Sequence, residues 1–194
     1  MSENTSYLQV NNYKPMIKLG DTIVNIRTGQ KMTFLKTWVE TNGTQLKIEC
    51  ISPVTPAREK LHYHPNQENR FAVTQGQLLF TVAGKEQLAS VGDIISIPKN
   101  VPHSFYNSGL VDAHYVQEFF PALKIDSLFE TFFVLARGGK LNKRGSPNIF
   151  RIALILLHFE NEIRLAHPNW ILQKIIFKLL APIARLMGYK AVYE

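Results

Sequence analysis

The sequence predicts an all-β barrel or sandwich that is followed by an α-helical extension. About ten short β-rich runs with turn residues between them occupy residues 22–120. After Pro121 the apolar residues recur at helical spacing instead. A chain of 194 residues is long enough for one domain with a substantial core and an appendage. We therefore expect a β-barrel domain at residues 14–121 and a helical extension at residues 122–194.

The predicted strands are short, and several of them alternate apolar and polar residues. Leu46, Ile48 and Cys50 alternate within one run and are expected to share its buried face. Asn42-Gly43 precedes this run and is typical of a hairpin turn. The predicted strands are 22–26, 31–40, 44–54, a strand around His62, 71–76, 76–84, 85–90, 93–97, 103–107 and 113–120.

Three helices are predicted in the extension. Ser127 and Glu130 have the spacing of a capping box for the first helix, which Gly138-Gly139 should end. Ser146 and Pro147 are a suitable N-cap and first residue for the second helix.

The third helix combines many apolar residues with a cationic stripe of Lys174, Lys178 and Arg185. Pro182 is expected to kink this helix, and Gly188 to end it. One interpretation is a peripheral membrane anchor whose cations face anionic headgroups. The favoured alternative is that the helices pack on the barrel, on each other or across a homodimer interface, because an all-round apolar helix is usually buried in protein.

The charge is distributed unevenly along the chain. Residues 1–135 contain 12 Lys+Arg and 12 Asp+Glu, whereas residues 136–194 contain 10 and 3, so the whole net charge of +7 lies in the extension. The electrically neutral barrel region does not indicate a nucleic-acid partner.

The single cysteine, Cys50, excludes an internal disulfide and favours a reducing compartment. The N-terminal segment MSENTSYLQV has no cationic stretch followed by an apolar run. No apolar segment approaches the ~20 residues that a membrane-spanning helix needs. We therefore expect a cytoplasmic protein.

The candidate functional site lies in HYHPNQENRFAVTQG, residues 62–76. His62 and His64 are two positions apart, so on a strand both imidazoles face the same side. Two neutral imidazoles at this spacing can provide two ligands of a metal site. A third histidine, His103, follows a Pro-Lys-Asn turn in GDIISIPKNVPHSFYN, residues 92–107.

These two stretches resemble the two sequence motifs of the cupin superfamily. Gly92, Pro98, His103 and Asn107 are in register with the second motif, and Asn100 replaces its second glycine. Asparagine adopts left-handed turns more readily than most residues, so this replacement is mild. The resemblance extends to a group of bacterial single-barrel cupins with helical C-terminal tails. It implies an all-β cupin fold, that is a double-stranded β-helix or jelly-roll barrel, with three histidines facing the barrel interior.

The first motif departs from the family at its metal-binding glutamate. Counting back from Gly76 places Asn69 at this position, and Glu68 is one residue early. A neutral amide in place of a carboxylate should lower metal affinity. The ion implied by the resemblance is one divalent transition metal, with Fe, Mn, Ni, Cu and Zn all compatible. The implied ligands are His62, His64, Asn69 and His103, with Glu68 as an alternative if the strand bulges.

Four further residues are candidates for the pocket wall. Phe71 and Phe80 are favoured as barrel core, although core and wall coincide in some small barrels. His114 and Glu118 share one face of the last strand and would form an acid/base pair if this face pointed inward. The favoured interpretation is that this face is the solvated outer one.

Two classes of function follow from these residues. The first is a small-molecule-binding protein with a weakly bound metal or none, which the amide of Asn69 slightly favours. The alternative is a mononuclear metal-dependent enzyme of the oxygenase or isomerase type. A weaker alternative is a membrane-peripheral protein that is targeted by its basic tail.

Overall fold

A computed structural model describes residues 17–56, 58–142 and 145–193, so the predicted start of the barrel at residue 14 lies outside the described residues. It contains two β-sheets followed by helices, which confirms the predicted fold class. The helices are α1 Trp38–Thr41, α2 Ile125–Arg137, α3 Ile149–His158 and α4 Trp170–Leu186. The strands are β1 Thr22–Val24, β2 Lys31–Lys36, β3 Leu46–Ser52, β4 His62–Tyr63, β5 Glu68–Gln75, β6 Gln77–Val82, β7 Lys85–Ser90, β8 Ile94–Ile97, β9 His103–Asn107, β10 Ala113–Phe120 and β11 Arg164–Leu165.

The two sheets enclose the barrel core. One has the strand order β1-β2-β3-β10-β5-β8, and the other has the order β11-β4-β9-β6-β7. Buried side chains alternate along the central strands, as expected when one face of a sheet packs inward. Phe71, Phe80 and Phe105 meet in the centre with ring centroids 4.8 to 5.4 Å apart. Phe71 and Phe80 are fully buried there and belong to the core, and neither residue lines the cavity described below.

Gly76 fixes the turn between β5 and β6. Its φ is +68°, and a Cβ at this position would lie 2.8 Å from the carbonyl oxygen of Asp112. Only glycine tolerates both the left-handed backbone and the close approach. This turn therefore sets the end of β5 and the register by which Asn69, Phe71 and Val73 are buried.

The predicted strand at residues 31–40 ends at Lys36 and is followed by α1. Thr37 and Glu40 form a capping box at the start of this one-turn helix. Asn42 and Gly43 have left-handed φ values of 50° and 76° and close the helix, so they do not form the predicted two-residue hairpin turn. The local capping signal at Thr37 outweighs the alternation of the residues around it.

Two of the predicted helix starts are wrong. No side chain caps α2, so the predicted capping box of Ser127 and Glu130 does not form. The first turn of α2 is buried, and this packing decides where the helix begins. The side chain of Asn148, rather than that of Ser146, caps α3 by accepting a hydrogen bond of 2.9 Å from the backbone N–H of Arg151.

The helical extension packs into the core of the barrel. Phe133 and Leu135 of α2, Ile155 of α3 and Phe159 belong to the same buried cluster as the strand residues. Strand β11 pairs with β4, so the extension also adds a strand to the barrel, which the sequence did not indicate. Within the described residues, no helix combines the length and the apolar character that crossing a membrane requires.

Helix α4 packs on α3 along one face. It runs through Pro182 to Leu186, and Gly188, with a φ of 77°, follows its C-terminus as predicted. The residues that α4 buries are Gln173, Phe177, Ala181 and Ala184.

Candidate metal centre and cavity

Three histidine side chains converge inside the barrel. His62 on β4 lies directly opposite His103 on β9, and His64 follows β4. Their ring centroids are 4.5 to 5.2 Å apart, and all three side chains are buried. One ring nitrogen from each lies within 4.8 Å of the other two. Among the described residues, this is the group of metal-ligating side chains that could hold an ion.

A backbone carbonyl orients each imidazole. The Nδ1 atoms of His62 and His103 lie 2.8 and 2.9 Å from the carbonyl oxygen two residues earlier in each case. The Nδ1 of His64 lies 2.6 Å from the carbonyl oxygen of Glu162, in the helical extension. A carbonyl oxygen only accepts hydrogen bonds, so each Nδ1 carries the hydrogen and each Nε2 carries the free lone pair. Metal-ligating histidines are usually held by this kind of hydrogen bond.

Two of the remaining ring nitrogens lack partners. The Nε2 atoms of His64 and His103 are buried and form no hydrogen bond. A buried polar atom without a partner costs about 1–3 kcal/mol, which a coordinated ion would remove. Burial and the neighbouring imidazole of His103 lower the pKa of His62 to about 3, and burial lowers the pKa of His64 and His103 as well. The imidazoles are therefore neutral at pH 7, the form that binds metals, and the residues fit a metal ion.

The turn before His103 is tied to the segment after β4. Asn100 has a φ of 63°, the left-handed conformation expected from its place in the motif. Its backbone N–H donates to the carbonyl oxygen of His64 over 2.9 Å, and its side-chain amide donates to that of Pro65 over 3.4 Å. These bonds hold His64 and His103 in a defined relative position.

The position of the expected carboxylate ligand holds a buried amide. Asn69 is 1% exposed, whereas the side chain of Glu68 is exposed. The Oδ1 of Asn69 accepts a hydrogen bond from the Nε2 of Gln117 over 3.2 Å. β5 pairs with β10 without a bulge at this point. The fold therefore does not bring the alternative ligand Glu68 to the histidines.

The candidate pocket residues His114 and Glu118 lie on the face of β10 that points away from the barrel interior. Tyr115, Gln117 and Phe119 are buried, whereas His114 and Glu118 are on the outer face. Glu118 forms an ion pair of 3.3 Å with the lysine opposite it on β3. His114 and Glu118 therefore lie on the outer face, as the favoured interpretation predicts, and neither residue lines the cavity described below. Tyr115 and Phe119 are the signal in the sequence that their set, which includes Gln117, packs inward.

A cavity of about 300 Å³ adjoins the histidines. Its polar wall includes His62, His64 and Gln117 from the barrel. The opposite wall is apolar and comes from the helical extension. Its side chains from α2 and α3 are Ile125, Leu128, Phe129, Phe132, Phe133, Ile152 and Leu156. The extension thus forms one wall of the cavity and also orients His64.

Glu59, in the loop before β4, is a carboxyl group in the cavity wall. Glu59 is an exposed residue, but the protein atoms around its carboxyl group partly withdraw that group from water and raise its pKa from 4.5 to about 8. Glu59 is therefore mostly protonated at pH 7. The sequence did not single it out because it lies in an irregular segment outside both motifs.

The raised pKa of Glu59 predicts a change of stability with pH. The folded protein holds the proton of this carboxyl group more tightly than the unfolded chain does. Its contribution to the free energy of unfolding is therefore fully present below about pH 4.5 and is lost as the pH rises through about 8. We expect the melting temperature of the wild type to fall relative to that of Glu59→Gln across this interval, measured by thermal unfolding in a series of buffers. Glu68→Gln, which alters an exposed carboxylate, should keep the wild-type profile. Parallel profiles for the wild type and Glu59→Gln would show that the folded protein does not raise the pKa of Glu59.

Comparison with known proteins finds a family match within the barrel. Residues 51–117 match the family profile described as the cupin domain. No curated protein matches the chain in sequence. A predicted oxalate decarboxylase from Thermotoga maritima is 22% identical, with 52% of this chain and 90% of that chain covered and a TM-score of 0.45. An RmlC-like cupin from Shewanella frigidimarina is 20% identical, with 56% and 93% covered and a TM-score of 0.45. A sugar phosphate isomerase of the cupin superfamily from Silicibacter pomeroyi is 18% identical, with 55% and 75% covered and a TM-score of 0.44.

Proposed function

We propose that this chain, whose barrel is a cupin domain, binds a small molecule in a cavity whose polar wall holds one divalent transition metal. The observation that carries the proposal is the orientation of three imidazoles by backbone carbonyls, with two buried Nε2 atoms left unpartnered. His62, His64 and His103 would hold the ion through Nε2. A metal at this position would polarise a bound carbonyl group or acidify a bound water.

The charge of the site favours an anionic ligand. The three imidazoles are neutral, and Asn69 adds no charge, so the protein would leave the charge of a divalent ion uncompensated. Glu59 is mostly protonated at pH 7 and compensates little of it. The phenyl rings on the opposite wall favour an apolar body. We therefore infer that the ligand is a small organic acid with an apolar body.

A metal-dependent enzyme is the second candidate, and Glu59 favours it. A carboxyl group that titrates near neutral pH can both donate and accept a proton, as isomerase-type chemistry requires. The amide of Gln117, held against Asn69, offers a fixed polar contact in the same wall. The helices of the extension supply apolar side chains to the wall of the same cavity.

Two measurements on the intact chain test the proposal. Elemental analysis of protein purified without chelator or nickel affinity resin should find about one transition-metal ion per chain. Phenylacetate should then raise the melting temperature of the metal-containing protein, and phenylacetamide, its uncharged counterpart, should not. Metal-free protein, or equal stabilisation by the acid and the amide, would contradict the proposal.

A further inference from the structure

Helix α4 leaves a long apolar face uncovered. The opposite face packs on α3 through Phe177, Ala181 and Ala184. At 3.6 residues per turn, the exposed apolar residues form one continuous face along a helix of about 25 Å. A contiguous apolar face of this kind marks an interaction site, whereas scattered exposed apolar residues do not. Its eight large side chains are 39 to 90% exposed: Ile171, Leu172, Ile175, Ile176, Leu179, Ile183, Leu186 and Met187.

One edge of this face is cationic. Lys174, Lys178 and Arg185 lie along the helix between the uncovered face and the packed face. Lys174 forms an ion pair of 2.6 Å with Glu160, and Lys178 and Arg185 are exposed. Residues 163–193 contain no aspartate or glutamate. The surface that covers this face is therefore expected to carry negative charge.

We propose that α4 docks this face on an anionic lipid surface. The helix lies along the surface, with its apolar side chains at the boundary of the acyl chains and its cationic edge at the headgroups. A second copy of the chain is a poorer partner. Pairing two such faces would bring the cationic edges of both helices close together, and neither helix has an acidic residue to offset their repulsion. The packing contacts of the extension within the protein involve α2, α3 and one face of α4.

Flotation of the full chain with lipid vesicles tests the proposal. We expect binding to vesicles in which about a third of the phosphatidylcholine is replaced by phosphatidylglycerol, with at least about tenfold weaker binding to phosphatidylcholine alone. High salt should weaken the binding, because it screens the attraction to the headgroups. Leu179→Glu should abolish binding, and Lys178→Glu combined with Arg185→Glu should weaken it at least about tenfold.

Two matched variants control for these changes. Leu110→Glu alters a side chain that is 97% exposed and lies outside α4, and Lys85→Glu reverses an exposed charge on β7. Both should bind anionic vesicles like the wild type. Binding that is equally strong to neutral vesicles, or that Leu110→Glu also abolishes, would overturn the proposal. Absence of vesicle binding would also overturn the proposal. In that case a dimer that Leu179→Glu dissociates would identify a second copy of the chain as the partner of this face, and a monomer would leave the face without either partner.

Discussion

The His103→Ala protein is expected to fold but to lose most of its affinity for a transition metal, whereas the wild type is expected to bind about one ion per chain. His103 supplies one of three converging ring nitrogens, and its Nε2 has no other partner. Loss of a group that merely orients a ligand costs 10- to 100-fold in metal affinity, so loss of a ligand should cost at least about 100-fold. Calorimetric titration of chelator-treated protein with Zn²⁺ or Mn²⁺ would measure the loss.

His114→Ala is the matched control for this variant. His114 is an imidazole on the outer face of β10 and is not part of the three-histidine group. Its removal should change neither the metal content nor the rise in melting temperature that added metal produces. A folded His103→Ala protein with wild-type metal content would place the ion elsewhere and refute the assigned site.

The second large effect is expected from Asn69→Glu, which should tighten metal binding. Asn69 is buried on β5, opposite Phe119, whose ring contacts that of His64 with centroids 5.3 Å apart. A carboxylate at this position would replace a neutral oxygen by a charged one in a poorly solvated interior. Charge-assisted hydrogen bonds exceed neutral ones by about 1–1.5 kcal/mol, which corresponds to a gain of roughly 5- to 12-fold in affinity.

The same substitution should destabilise the protein without metal, because it buries a carboxylate and removes the amide that pairs with Gln117. Thermal unfolding with and without metal would show both effects, with a lower melting temperature for the chelator-treated variant and a larger rise on metal addition. Glu68→Ala, one residue earlier on the exposed face, should change neither quantity. If Asn69→Glu binds metal no more tightly than the wild type, the missing carboxylate does not limit the site.

Several features of the site could be predicted from short-range sequence pattern. The spacing of His62 and His64 places both on one side of a strand, and the turn before His103 has the conformation expected for its motif. Counting alternate residues back along the strand from Gly76 predicts that Asn69 faces inward and Glu68 outward, and the structure shows this arrangement. These features depend on neighbours within a few residues, and the backbone geometry of strands and turns determines them.

Alternation alone does not decide which face of β10 points inward, and the residue types on the two faces are needed as well. Both alternating sets on this strand contain polar residues, so alternation alone leaves the face undecided. The structure buries the set with Tyr115 and Phe119 because two aromatic rings gain more from burial than Val116 does. Gln117 reaches the cavity wall as a consequence of this packing.

By itself, the sequence determined the class of fold, the order of barrel and helices, and the identity of the three histidines, because these follow from periodicity and from spacing within single strands and turns. Only the tertiary structure decided which groups complete the site. The carbonyl that orients His64 lies 98 residues away, in the extension. Glu59 joins the cavity through an irregular loop. The face that α4 leaves uncovered depends on its packing against α3. Such contacts depend on how distant segments pack against each other, and no local sequence pattern predicts them.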